Sequence, residues 1–218
     1  KMSVDQKLYD RQIRLWGLAA QQRMSEAKVL VLGLRGLAVE ICKNLVLAGV
    51  GNITVIDDGI VSIEDLGCQY FLREEDVGTR SRADASVENL KQLNPLANVV
   101  AESGTPETIS EDRIKGFDVI CVTDAPLSQQ IRIDDICRKF NRGFFATSCH
   151  GLFASIFIDL NSHEYRMEIK PKADDASQKT RVEVGTQAYP PLAAALAADW
   201  SKLKRASPVL AALFAQQL

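Results

Sequence analysis

The chain has 218 residues, of which 46 % are hydrophobic and 25 % charged, with a formal net charge of −2. Such a composition carries enough apolar material for one sizeable core, and it lacks the basic excess that would point to nucleic acid or an anionic membrane as the main partner. The apolar runs, such as Val29-Leu30-Val31-Leu32, are strand-sized and far below the roughly 18–20 residues of a membrane span, and the start KMSVDQKLYDRQ has no apolar signal core.

Lys1 ahead of Met2 reads as a residue added before a natural start. Residues 8–26 are expected to be helical, with Leu8, Ile13, Leu15, Trp16 and Leu18 forming an apolar stripe that Gly17 interrupts. Gln21, Gln22 and Arg23 are expected to face outward. KVLVLG (28–33) predicts a strand buried on both faces. It runs into the turn Gly33-Leu34-Arg35-Gly36-Leu37-Ala38 and a helix over 37–47, which Gly49 and Gly51 end. NITVID (52–57) predicts a second strand, so the opening is a βαβ unit.

The pattern then repeats. A helix is expected over 83–93, a strand over 98–103, and a well-buried strand over 117–123. A helix over 127–141 and two further extended runs, 143–151 and 153–160, follow. Strands and helices alternating at this spacing predict an α/β fold, a Rossmann-like, doubly wound and mostly parallel sheet. From about residue 171 the texture becomes polar, as in PKADDASQKTR, and then rich in Ala and Leu. We expect residues 1–172 to form the Rossmann-like domain with its N-terminal helical segment. Residues 173–218 would be a linker plus a helical segment, the beginning of an insert in a longer chain.

In a nucleotide-binding βαβ unit, a glycine turn lets backbone N–H groups at a helix N-terminus approach phosphate. Asp57 and Asp58 stand about 20 residues on, where a ribose-binding carboxylate would sit. The spacing here is GxxGxxA, however, so Gly33 and Gly36 equally fit a purely structural role in close strand–helix packing. The five cysteines, Cys42, Cys68, Cys121, Cys137 and Cys149, form no CxxC pair. They give no support to a structural zinc site and fit free thiols in a reducing compartment.

Three ordered motifs, YDRQIRLWG (9–17), VLVLGLRGLAVEICKNLVLAGVG (29–51) and QYFLREEDVG (69–78), together resemble the ubiquitin-like-protein activating enzymes over roughly residues 8–160. That family shares its fold with the bacterial adenylating enzymes of thiamine and molybdopterin synthesis. Among its branches, the RQIRLWG start and the ATSCHGLFA run are most similar to the small, non-catalytic subunits that serve SUMO. The equivalent subunit for the Nedd-type modifier and the inactive half of the ubiquitin enzyme are close. The resemblance implies ATP-dependent adenylation of a modifier's C-terminal glycine, carried out in a heterodimer, and a nuclear location, with the cytoplasm second.

The ATP-site motifs of active family members depart from their pattern here. Their S-N-L-N-R-Q motif corresponds to Glu64-Asp65-Leu66-Gly67-Cys68-Gln69, so Gly67 and Cys68 stand where Asn and Arg belong. Losing that Arg removes a fork of donors suited to phosphate oxygens. Their lysine falls at or near Arg82. Their magnesium-binding Asp corresponds to Thr123, a poor ligand for a hard cation, and Asp124 comes one position late, as a strand-end turn residue would. The resemblance therefore implies a degenerate site at Gly33, Gly36, Asp57, Cys68, Arg82 and Thr123 that holds no cofactor and no metal. ATP and magnesium would sit in the catalytic partner subunit.

What the resemblance assigns to this chain instead is Arg11, reaching in trans to the partner's ATP site. Arg14, three residues on, is expected to have a structural role. Trp16, Leu18, Tyr70 and Phe71 are candidates for the subunit interface, or else are core. Cys149 beside His150 is the sole Cys–His pair, but neighbours in a strand point to opposite faces and make a poor nucleophile–base couple. His163 lies in a polar turn without an evident partner. Two competing functions remain: a stand-alone nicotinamide-dependent oxidoreductase using the glycine turn and Asp57, and a self-sufficient adenylating enzyme using Asp124 and Arg82.

Overall fold

The computed structural model describes residues 4–169 and 181–199. Two short helices come first, α1 (Asp10–Trp16) and α2 (Leu18–Glu26). The continuous helical segment expected over 8–26 is divided at Gly17, whose φ of 86° and ψ of 157° lie outside the helical region. Then follow β1 (Lys28–Leu32), α3 (Gly36–Ala48), β2 (Asn52–Ile56), α4 (Arg82–Leu93) and β3 (Asn98–Glu102). Two 3₁₀ turns, Asp65–Gly67 and Glu74–Asp76, shape the long connection between β2 and α4.

The second half runs α5 (Glu111–Lys115), β4 (Val119–Thr123), α6 (Leu127–Lys139), β5 (Gly143–His150), β6 (Phe153–Asp159), β7 (Ser162–Ile169), β8 (Arg181–Ala188) and α7 (Leu192–Leu196). Helix starts obey local chemistry. Ser81 caps α4 by accepting the Asp84 N–H, and Ser110 caps α5 by accepting the Arg113 N–H. The helix α5 has no counterpart in the sequence reading; it is a single turn, too short for periodicity to reveal.

Six strands form one sheet in the order β3-β2-β1-β4-β5-β6. The first five are parallel and β6 pairs antiparallel with β5. This is the doubly wound, mostly parallel sheet expected. Period-2 alternation divides β1 between two cores. Val29 and Val31 face a cluster with Leu34, Val39, Cys42, Leu90 and Phe71 on the α3–α4 side. Leu30 and Leu32 face a cluster with Ile114, Ile120, Ile133, Phe144 and Leu192 on the α5–α6–α7 side. Both faces are therefore covered, as a parallel sheet requires.

β7 and β8 form a separate antiparallel pair. Polar linker followed by helix was expected from residue 173 on. Residues 181–188 are instead a strand, and the described helical part is confined to Leu192–Leu196, whose Leu192 is buried against α6. The rest of the expected helical segment lies outside the described residues. Among the described residues, no helix is long and apolar enough to cross a membrane.

Candidate nucleotide cleft and the N-terminal arm

The strand order reverses between β1 and β4, and the carboxyl ends of the strands leave a crevice at such a switch point. A cleft of about 270 Å³ opens there, lined by Gly33, Arg35, Ile56 and Arg82 with residues 57–59, 104–107 and 123–126. It brings together Gly33, Asp57, Arg82 and Thr123 of the expected degenerate site. Gly36 and Cys68 of that expected site are not part of the lining and pack against each other.

Asp57 follows β2 directly and is buried. Its Oδ2 accepts from the Leu34 N–H at 2.7 Å and from Arg82 Nε at 2.9 Å. Its Oδ1 accepts from the Gly59 N–H at 2.8 Å and from Arg82 Nη2 at 2.9 Å. A carboxylate offers about four acceptor positions, so this set is full. The other arm of Arg82, Nη1, is 3.4 Å from Asp65, itself buried in the 3₁₀ turn. Partial burial works against the Arg82 charge, but the hydrogen bond and charge of Asp57, then those of Asp65, outweigh it and hold its pKa above the ordinary guanidinium value.

The glycine turn is close-packed. A Cβ on Gly33, whose φ is +86°, would come within 2.8 Å of Thr123 Oγ1, and one on Gly36 within 2.7 Å of the Cys68 carbonyl oxygen. Gln69, the motif residue that survives, is buried. It donates from Nε2 to the Leu34 carbonyl at 2.6 Å and accepts from Ser86 Oγ at 2.7 Å. It thus ties the turn to α4. Both glycines have a packing reason here that needs no phosphate.

Thr123 donates its hydroxyl to the Leu32 carbonyl, at 3.2 Å, and so faces back into the sheet. Asp124 sits at φ 51°, a left-handed conformation that Asp tolerates in a turn, and its Oδ1 is 3.4 Å from the Cys149 N–H. Asp57, Asp58, Glu107 and Asp124 give the cleft four carboxylates against the guanidiniums of Arg35 and Arg82. The carboxylate placed for a ribose is already saturated, the nearest guanidinium is committed to it, and the surplus lining charge is negative. The same saturation removes the grip that a nicotinamide ribose would need. It also commits the Arg82 on which a self-sufficient adenylating site would depend.

Arg11 lies away from the cleft. It is exposed on α1 and makes no hydrogen bond or ion pair with a described residue. Arg14 is paired with Asp10 one turn earlier, at 3.0 Å. Gln21 was expected to face solvent, but it is fully buried. Its Oε1 accepts from the Trp16 indole N–H at 3.0 Å, and its Nε2 donates to the Ala48 carbonyl at 2.9 Å. Sequence periodicity missed it because its polar atoms serve the last turn of α3 rather than water. Among the interface candidates, Phe71 is core, whereas Trp16, Leu18 and Tyr70 are exposed.

Cys42, Cys121 and Cys137 are buried. Burial, followed by the neighbouring Cys121, pushes the Cys42 thiol up to about 12; burial pushes Cys121 up to about 11 and also raises Cys137. Cys149 is exposed at the end of β5 opposite Ala154, while His150 pairs with Phe153. His163, expected in a turn, lies on β7 opposite Gln187. Among the described residues, no group of three or more His, Cys, Asp or Glu could hold a metal ion.

Over residues 9–201 the sequence matches the ThiF family. It is 41 % identical over 180 residues to SUMO-activating enzyme subunit 1 of Xenopus laevis, an alignment covering 83 % of this chain and 51 % of that protein. It is 38 % identical over 224 residues to SUMO-activating enzyme subunit 1 of Rattus norvegicus, covering 92 % of this chain and 63 % of the relative. It is 36 % identical over 194 residues to the DNA damage tolerance protein RHC31 of Saccharomyces cerevisiae, covering 86 % and 56 %. The chain spans between about half and just under two-thirds of the length of these relatives.

Proposed function

The chain belongs to the ThiF family, and on that footing we propose that it is the non-catalytic subunit of a heterodimeric SUMO-activating enzyme. The names of its relatives support the modifier. The observation that carries the non-catalytic reading is the fork of Arg82 on Asp57, which fills the cleft's one well-placed carboxylate from within the chain. Nucleotidyl and phosphoryl chemistry depends almost wholly on positioning and charge stabilisation. With Arg82 committed to Asp57 and Thr123 turned into the sheet, the cleft is left with the exposed Arg35 against a surplus of carboxylates, which falls short of both.

ATP and magnesium then belong to the catalytic partner subunit, and this chain binds neither. Its contribution to the reaction is Arg11. A guanidinium brought to the partner's phosphates offsets the negative charge that builds up as the modifier's carboxylate attacks, a device typically worth roughly 10³–10⁵ in rate. The complex works in the nucleus, and in the cytoplasm as well.

The test is ATP–pyrophosphate exchange. The purified chain alone gives none, and adding the catalytic subunit and SUMO restores it. Arg11→Ala lowers exchange by the complex at least a hundredfold, with the heterodimer still intact by gel filtration. Exchange by the isolated chain would overturn the non-catalytic assignment, and full activity of the Arg11→Ala complex would overturn the role of Arg11.

A further inference from the structure

The helix that carries Arg11 has no buried residue of its own. Seven residues are too few to hold a helix in water unaided, so its direction is set by what holds its ends. At the N-terminal end, Tyr9 is buried, and its ring lies so close to Gly49 that a Cβ there would come within 2.7 Å of it. Its phenol oxygen accepts from Asn94 Nδ2 at 2.7 Å, and the same Nδ2 donates to the Val46 carbonyl at 2.8 Å. At the C-terminal end, Trp16 is joined through the fully buried Gln21 to the Ala48 carbonyl.

Both ties end on carbonyls in the last turn of α3, that of Val46, which also accepts from the Gly49 N–H at 3.1 Å, and that of Ala48. They fix α1 at the far end of α3 from the cleft. Thirteen helical residues span about 20 Å, and Arg11 is not part of the lining of its own chain's cleft. Arg14 is engaged with Asp10, whereas Arg11 is left with no described partner.

We infer that Gln21 is a positioning residue for Arg11, because it holds the exposed helix that carries this arginine in one orientation on the end of α3. The inference rests on the in-trans role of Arg11 proposed above. Gln21 suits the task because its amide both accepts and donates: it takes the indole N–H on one side and gives an N–H to Ala48 on the other. An arginine carried on a clamped helix needs little reorganisation when it meets phosphate, and misplacement by about 1 Å can cost on the order of 10²-fold in rate.

The experiment is a double-mutant cycle in the assembled heterodimer, read by ATP–pyrophosphate exchange with SUMO. Gln21→Met keeps the volume and removes both hydrogen bonds. It should lower kcat tenfold or more, leaving KM for SUMO and the subunit affinity unchanged. In the Arg11→Ala background, Gln21→Met should lower kcat no further. Should Gln21→Met impair folding, Trp16→Phe serves in its place, because it removes only the indole N–H and leaves the Gln21–Ala48 bond intact. An equal loss in both backgrounds, or no loss with Arg11 present, overturns the positioning role while Arg11 keeps its own. A fully active Arg11→Ala complex overturns the in-trans role itself, and the positioning role with it.

Discussion

Asp57 and Arg82 meet at the mouth of the cleft through two parallel hydrogen bonds, Nε to Oδ2 and Nη2 to Oδ1, each of 2.9 Å. Both side chains are mostly buried, at 6 % and 14 % exposure. Removing one partner of such a pair strands the other charge away from water, which costs about 3–5 kcal/mol, more than the intact pair contributes. Arg82→Ala should therefore lower the unfolding free energy by about 3 kcal/mol in urea titrations. Arg82→Lys should recover only part of this, because an ammonium cannot reproduce the fork. A loss below about 1 kcal/mol for Arg82→Ala would show that the pair does not hold the β2 end and the Asp65 turn together.

Gly49 ends α3 in the left-handed region, at φ 85°, directly beneath Tyr9 and Gln21. A methyl group there meets the Tyr9 ring at 2.7 Å and Gln21 Nε2 at 2.8 Å. Gly49→Ala should cost at least about 1–2 kcal/mol from backbone strain alone. It should also loosen α1, so that trypsin cuts faster after Arg11 and Arg14 than in the unmodified protein. Unchanged cleavage would show that α1 does not depend on this contact.

The thiols should divide into two sets. Cys68 and Cys149 are exposed, and Cys42, Cys121 and Cys137 are buried. The thiolate is the reactive form, and burial suppresses it. Titration of the native protein with a chromogenic disulfide at pH 8 should modify Cys68 and Cys149 quickly, and the remaining three only after denaturant is added. Fast reaction of a third thiol would contradict the packing around α3, β4 and α6.

Asp134 is buried in α6, where its Oδ2 accepts from the Leu192 N–H at 2.7 Å and its Oδ1 has no hydrogen-bond partner. Burial pushes its pKa up to about 7, opposed by the Leu192 amide and reinforced by the charge of Asp159. The folded protein thus favours the neutral acid more than the unfolded chain does. The sign follows from linkage: the contribution is fully present below the ordinary carboxyl value near 3.8 and is lost as pH rises through about 7. Asp134→Asn keeps the acceptor for Leu192 and cannot ionise. It should be more stable than the parent at pH 8 by at least about 1 kcal/mol, with the difference closing toward pH 4. Parallel stability curves over that range would rule out this carboxyl as their source.

Much of the fold is legible in the sequence because its signals are local. The apolar run of β1, the glycine turn and the periodicity of α3 each depend on neighbours within a few residues. Of the cleft, Gly33 and Asp57 were legible in the same way, because each stands where a predicted strand gives way to a turn. The same locality explains the failures. A polar side chain on an apparently outer helix face reads as solvated, as Gln21 does, unless its distant partner is known. The strand β8 lies in a polar stretch whose pairing with β7 no local pattern announces.

The alternation of buried strands and helices, and with it the sheet, follows from local patterning alone, because burial repeats with the period of the backbone. Where the charges and amides end up is set by the folded packing. Arg82 meets an aspartate 25 residues away, and Gln21 meets a carbonyl 27 residues away. A buried polar atom must find a partner wherever the chain happens to bring one, and that is a property of the assembled packing rather than of any segment.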